Sequence, residues 1–210
     1  MSKSGLQRRG AEPTRWLSPS YLLPPVSPMP PAADQPPEIK VVFSASRIAA
    51  RIDELAAAIA KAGMDNLLVV AVLKGSFVFA ADLIRALHAT GISPEVDFIT
   101  LSSYRKSTKS AGKVEILRDI ESDVQGRNIL LVDDILESGR TLAFAKDLMV
   151  ARRAKRVMTC VLLDKPVERA AEVEADFCAF ECPNLFVIGY GMDIGHRYRE
   201  LPFVGALVGR

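Results

Sequence analysis

The residues Asn128 to Thr141, NILLVDDILESGRT, concentrate the chemistry of this chain: an apolar run, two adjacent aspartates, then a short Ser/Gly turn that opens a helix. A helix start carries unpaired N–H groups and the positive end of the helix dipole, and Gly139 lets the backbone bend close to a ligand. Residues 137–141 (Glu137, Ser138, Gly139, Arg140 and Thr141) therefore read as a cradle for a phosphate monoester, with hydroxyl donors from Ser138 and Thr141. Asp133 and Asp134 suit two tasks, accepting hydrogen bonds from vicinal sugar hydroxyls or facing a hard cation, and both stay open. A diol next to a phosphate describes a ribose 5-phosphate. An acidic pair after a strand also occurs in receiver domains and in the Mg²⁺ sites of nucleotidases, but in a receiver the Ser/Gly turn would have no use.

These groups need elements to hold them. Ser46 precedes Ile48, Ile52, Leu55 and Ile59, apolar positions at helical spacing that stop before Gly63, so an amphipathic helix is expected there. Leu67 to Leu73 reads as a buried strand, Phe77 to Leu87 as the helix after it, and Val96 to Leu101 as a second strand. The stretch from Ser102 to Lys113, SSYRKSTKSAGK, is almost without apolar residues and is expected to be a mobile loop. Further strands are expected at Val114–Leu117, Asn128–Val132 and Arg156–Leu163 and near Phe177 and Phe186, with a helix from Thr141 to about Ala151. Apolar strands alternating with helices imply an α/β fold with a mostly parallel sheet covered on both faces, whose ligands bind beyond the carboxyl ends of the strands.

Composition bounds the rest. The 210 residues fit one domain, and 49% hydrophobic with 25% charged residues is ordinary for a globular protein. A formal net charge of +2 implies no nucleic-acid partner. The longest apolar run, Leu67 to Leu73, falls far short of the roughly 20 residues that span a bilayer, so no membrane partner is expected. Cys160, Cys178 and Cys182 form no CxxC pair and read as buried thiols, which favours the cytoplasm. Residues 1–37 hold nine of the thirteen prolines and are expected to be a disordered tail before a domain at 38–210. A start at Met29 is one alternative reading of that segment.

The Asn128–Thr141 string resembles the phosphoribosyl pyrophosphate signature of the type I phosphoribosyltransferases, and other segments resemble the hypoxanthine-guanine phosphoribosyltransferases in that group. That resemblance implies a twisted, mostly parallel sheet with a small base-binding hood and a flexible lid. Val72-Leu73-Lys74-Gly75-Ser76 resembles the pyrophosphate loop, with a cis peptide before Lys74. Leu163-Asp164-Lys165-Pro166 is similar to the segment whose lysine binds the purine 6-oxo group. Asn184 to Asp193 is similar to the base-binding segment, in which Phe186 would stack on the purine, the Val187 backbone would pair with its edge, and Asp193 would lie near the base and a second Mg²⁺. Arg199 matches the pyrophosphate-binding arginine, and the loop with Ser103 and Tyr104 resembles the lid.

The resemblance implies purine salvage: transfer of a phosphoribosyl group to N9 of a 6-oxopurine by a homodimer or homotetramer. Mg²⁺, held at Asp133, Asp134 and Asp193, would be the cofactor, and Glu137 the general base toward N7. Most members carry aspartate where Glu137 stands, and Gly191 and Gly195-His196-Arg197 also depart from the commoner pattern. His88 and His196 have no ligand set around them. The alternative class is a phosphoribosyl pyrophosphate-sensing regulator that binds nucleic acid. It would need a basic face, and the densest basic cluster is Arg152-Arg153 with Lys155-Arg156.

Overall fold

A computed structural model describes residues 38–103 and 114–208. The expected tail at 1–37 and most of the expected loop, including Tyr104, lie outside the described residues. The elements run β1 (Ile39–Phe43), α1 (Ala45–Lys61), β2 (Leu67–Leu73), α2 (Phe77–Ala89), β3 (Glu95–Ser103), β4 (Val114–Arg118), β5 (Asn128–Leu136), α3 (Arg140–Ala151), β6 (Arg156–Asp164), β7 (Phe177–Glu181), β8 (Val187–Ile188) and β9 (Val204–Leu207). The main sheet has the order β4-β3-β2-β5-β6-β7, parallel except for β4.

Side chains alternate between the two faces of a strand, so a strand covered on both faces must be apolar at every position. β2 obeys this rule. Val69 and Ala71 join Ile52 and Ile59 of α1 and Phe79 and Leu83 of α2 on one face. Leu68, Val70 and Val72 join Leu142, Ala145 and Met149 of α3 on the other. The α/β architecture expected from the alternating pattern is thus observed.

Two details differ from the expectation. The cap of helix α1 lies two residues before Ser46: Ser44 accepts a hydrogen bond from the Arg47 amide at 3.3 Å, and Ser46 falls inside the first turn. β5 continues through the acidic pair to Leu136, because β6 still offers it partners at Asp133↔Val161 and Leu136↔Asp164.

A second sheet, β1-β9-β8, is antiparallel and unites the start of the described chain with its end. β8 falls by the strand expected near Phe186, whereas β1 and β9 gave no motif in the sequence, since a four- or five-residue strand becomes stable only through its partner. Phe43 of β1 stacks on Phe180 of β7, with centroids 4.3 Å apart, and the Arg47 guanidinium lies over both rings. The Arg51 guanidinium donates to the Ala179 and Cys178 carbonyls and ties α1 to β7.

Candidate active site

The sheet order itself creates a crevice. From β2 the chain leaves through α2 to β3 on one side, and from β5 it leaves through α3 to β6 on the other, so the neighbours β2 and β5 flank a topological switch point. Pairing between them ends at Ala71↔Val132. Above that point β5 keeps only β6, and a cavity of about 270 Å³ opens, lined by Lys74, Gly75, Asp133, Asp134, Glu137 and Ser138, among others. A wider groove of about 920 Å³ lies between α3 and residues 171–176, but its polar lining includes Arg169, spent on Asp164, and Asp176, spent on Thr159.

Asp133 is 6% exposed, and what surface it has faces the cavity. Burial, then the adjacent charge of Asp134, raise its carboxyl well above the ordinary range. Burial also raises Asp134, opposed by its hydrogen bond with Asp133 and by the positive charge of Arg199. Two acids held this way gain from any ligand that supplies donors or positive charge, and oxygen donors at a strand end suit vicinal hydroxyls or a hard divalent cation. On that ground the pair fits Mg²⁺.

Gly139 occupies the N-cap position just before α3, with φ at +76°, and a glycine has no side chain with which to cap the helix. The first-turn amides are thereby left for an anionic ligand. The close approach that requires glycine is to the protein's own chain: a Cβ there would lie 2.8 Å from the Ala171 carbonyl oxygen. The Ser138 carbonyl also accepts from the Ala170 amide at 2.9 Å, so the 170–173 loop supports the turn from behind, a role that the sequence did not show. Arg140 is exposed and its side chain lies outside the cavity lining.

Across the crevice the Leu73–Lys74 peptide is cis. A Cβ on Gly75 would stand 1.7 Å from Asp134 Oδ2, so the turn and the acidic pair are packed directly together. Gly191 packs on the same turn, where a Cβ would meet the Gly75 carbonyl oxygen at 2.2 Å, which explains why glycine stands there. Arg199 donates through Nη1 to the Gly191 carbonyl at 2.5 Å, and its Nη2 lies 2.6 Å from Asp193 Oδ1. Asp193 also accepts from the His196 amide. Asp133, Asp134 and Asp193 are not drawn into one cluster: among the described residues no three acidic, histidine or cysteine side chains converge as a metal set.

Lys165 is buried, 6% exposed, and its Nζ lies 3.5 Å from Glu137 Oε1. Val187 is buried in β8, whereas Phe186, just before it, is 48% exposed. Ser103 ends β3. The basic cluster at Arg152 is at the opposite end of α3 from the cavity, and Arg152 itself is held by both carboxylate oxygens of Asp119. Among the described residues no helix is long and apolar enough to cross a membrane.

The crevice, its acidic pair and the uncapped helix start lie inside a family match: residues 40–194 fit the phosphoribosyl transferase domain, and the chain belongs to that family. Its relatives narrow the group. The chain is 43% identical over 169 residues to the hypoxanthine-guanine phosphoribosyltransferase of Bacillus subtilis, covering 80% of this chain and 92% of that protein. It is 39% identical over 173 residues to the hypoxanthine phosphoribosyltransferase of Escherichia coli, covering 81% of this chain and 96% of that one. A crystal structure of a hypoxanthine-guanine phosphoribosyltransferase from Bacillus anthracis, with a HEPES molecule in the active site, superposes with a TM-score of 0.76 at 41% identity, covering 81% of this chain and all of that one.

Proposed function

We propose that residues 38–210 form a purine-salvage phosphoribosyltransferase that moves the 5-phosphoribosyl group of phosphoribosyl pyrophosphate to N9 of hypoxanthine or guanine, releasing IMP or GMP and pyrophosphate. The observation that carries this reading is the cavity at the β2/β5 switch point, which joins a buried and a half-buried acid to a helix start with no capping side chain. The 5-phosphate sits on the amides and hydroxyls of residues 137–141, and Asp133 and Asp134 receive the ribose hydroxyls. Lys74, the Gly75 backbone and Arg199 bind the pyrophosphate. Mg²⁺, when bound at the acidic pair, supplies positive charge to the polyphosphate oxygens. Asp193 serves a second ion near the base.

Phe186 stacks on the purine, the Val187 main chain reads its edge, and Lys165 donates to the 6-oxo oxygen. N9 attacks the anomeric carbon as the bond to the pyrophosphate oxygen breaks, and Glu137 takes the proton from N7. Lys165 Nζ lies 3.5 Å from Glu137 Oε1, so the residue that reads the 6-oxo oxygen and the base stand side by side. The lid role that excludes water is assigned to Ser103, at the end of β3, and to Tyr104, which lies outside the described residues. Three free cysteines suit a reducing cytoplasm, and we read the assembly as a homodimer or homotetramer. The test is to incubate the full chain with Mg²⁺, phosphoribosyl pyrophosphate and each of hypoxanthine, guanine, xanthine and adenine. Nucleoside monophosphate is expected from the oxopurines and not from adenine, and no product from any base would refute the reading.

A further inference from the structure

Two rigid pieces meet at the pyrophosphate end of the cavity. In the first, the Lys74–Gly75 turn is continuous with α2: the Ser76 hydroxyl donates to the Val72 carbonyl at 2.6 Å, and the Ala80 amide donates to the Ser76 carbonyl at 2.8 Å. In the second, Arg199 is tied to the 190–191 segment in both directions. The Gly191 amide donates to the Arg199 carbonyl at 3.0 Å, the Arg199 guanidinium donates to the Gly191 carbonyl, and the Tyr190 amide donates to the Leu201 carbonyl. The pieces touch where Gly191 faces Gly75, a contact too close for any side chain. The side-chain link falls one residue earlier: the buried Tyr190 hydroxyl donates to Asp82 Oδ2 of α2 at 2.5 Å, and Asp82 is also paired with Arg85.

We infer that Tyr190 and Asp82 are positioning residues that fix the Lys74–Gly75 turn and the Arg199 guanidinium at the separation the pyrophosphate requires, an inference that rests on the phosphoribosyl-transfer reading. Neither side chain lines the cavity at the switch point; both border a separate pocket beside Arg199. Tyr190 has φ at +50°, a backbone state that a non-glycine residue holds only when its surroundings fix it. A phenol donating to a carboxylate is one of the stronger hydrogen bonds available for that purpose.

Tyr190→Phe keeps the ring and deletes the bond. The variant should raise KM for phosphoribosyl pyrophosphate, and for pyrophosphate in the reverse direction, by about 10-fold. KM for the purine base should stay within about twofold, since Val187 is held by its pairing with β9 and Lys165 by its amide bond to the Leu136 carbonyl, not by this bond. Asp82→Ala should reproduce the defect, the double variant should be no worse than either single one, and Asp82→Asn, which keeps an acceptor, should restore most of the affinity. Equal changes in both KM values, or lowered thermal stability with unchanged kinetics, would overturn the inference. An inactive parent chain would instead bring down the transfer reading and this inference with it.

Discussion

Gly75→Ala isolates the contact between the pyrophosphate turn and the acidic pair. The added Cβ would stand 1.7 Å from Asp134 Oδ2 and 2.5 Å from its Cγ. Restoring ordinary van der Waals separation requires the carboxylate to withdraw by roughly 2 Å. Gly75 is not among the residues with positive φ, so alanine adopts its backbone conformation and the penalty falls on Asp134 alone. The carboxylate is the end of a side chain bordering a cavity, so it can yield without the core moving. A displacement of about 1 Å at a substrate-positioning group costs about 10²-fold in rate. We therefore expect kcat/KM for phosphoribosyl pyrophosphate to fall by about 100-fold, equivalent to about 2.7 kcal/mol, while Tm drops by only a few degrees. Initial rates at saturating hypoxanthine with varied phosphoribosyl pyrophosphate, paired with thermal melts, measure both. In an Asp134→Ala background the glycine change should add little, because the clashing atoms are gone. Unchanged kcat/KM in Gly75→Ala, or full additivity with Asp134→Ala, would refute the reasoning.

Glu137→Gln should lower kcat by about 10² to 10⁴ while the dissociation constant for phosphoribosyl pyrophosphate, from calorimetry, barely moves; retained turnover removes Glu137 as the base. The raised carboxyl of Asp133 makes the ligand-free fold bind a proton that the unfolded chain releases. The stability this contributes is full below the ordinary carboxylate pKa and is lost as pH rises through the folded-state value. Thermal melts from pH 4 upward should show that decline, Asp133→Asn should flatten it, and Mg²⁺ should offset it at neutral pH. Ser44→Ala removes the α1 cap and should cost about 1 kcal/mol in denaturant unfolding without altering KM for either substrate.

The local chemistry of this protein is written locally. A short unbroken apolar run rich in β-branched residues, such as Leu67–Leu73, reads as a strand buried on both faces, and the order of acids, serine and glycine from Asp133 to Thr141 reads as oxygen acceptors beside a helix start. Those features were legible before any coordinate, and so was the cis bond at Lys74 through its resemblance to a known loop. The contacts between segments were not. That Gly75 is small because Asp134 lies against it, that Gly191 is small because Gly75 does, and that Tyr190 reaches Asp82 108 residues away are facts about pairs with no shared local pattern. The small sheet β1-β9-β8 belongs with them, since each short strand is stabilised only by a neighbour distant in the chain. Propensity and periodicity act over a few residues and so fix the elements, whereas steric exclusion and hydrogen-bond pairing act across the folded chain and decide how those elements close around the cavity.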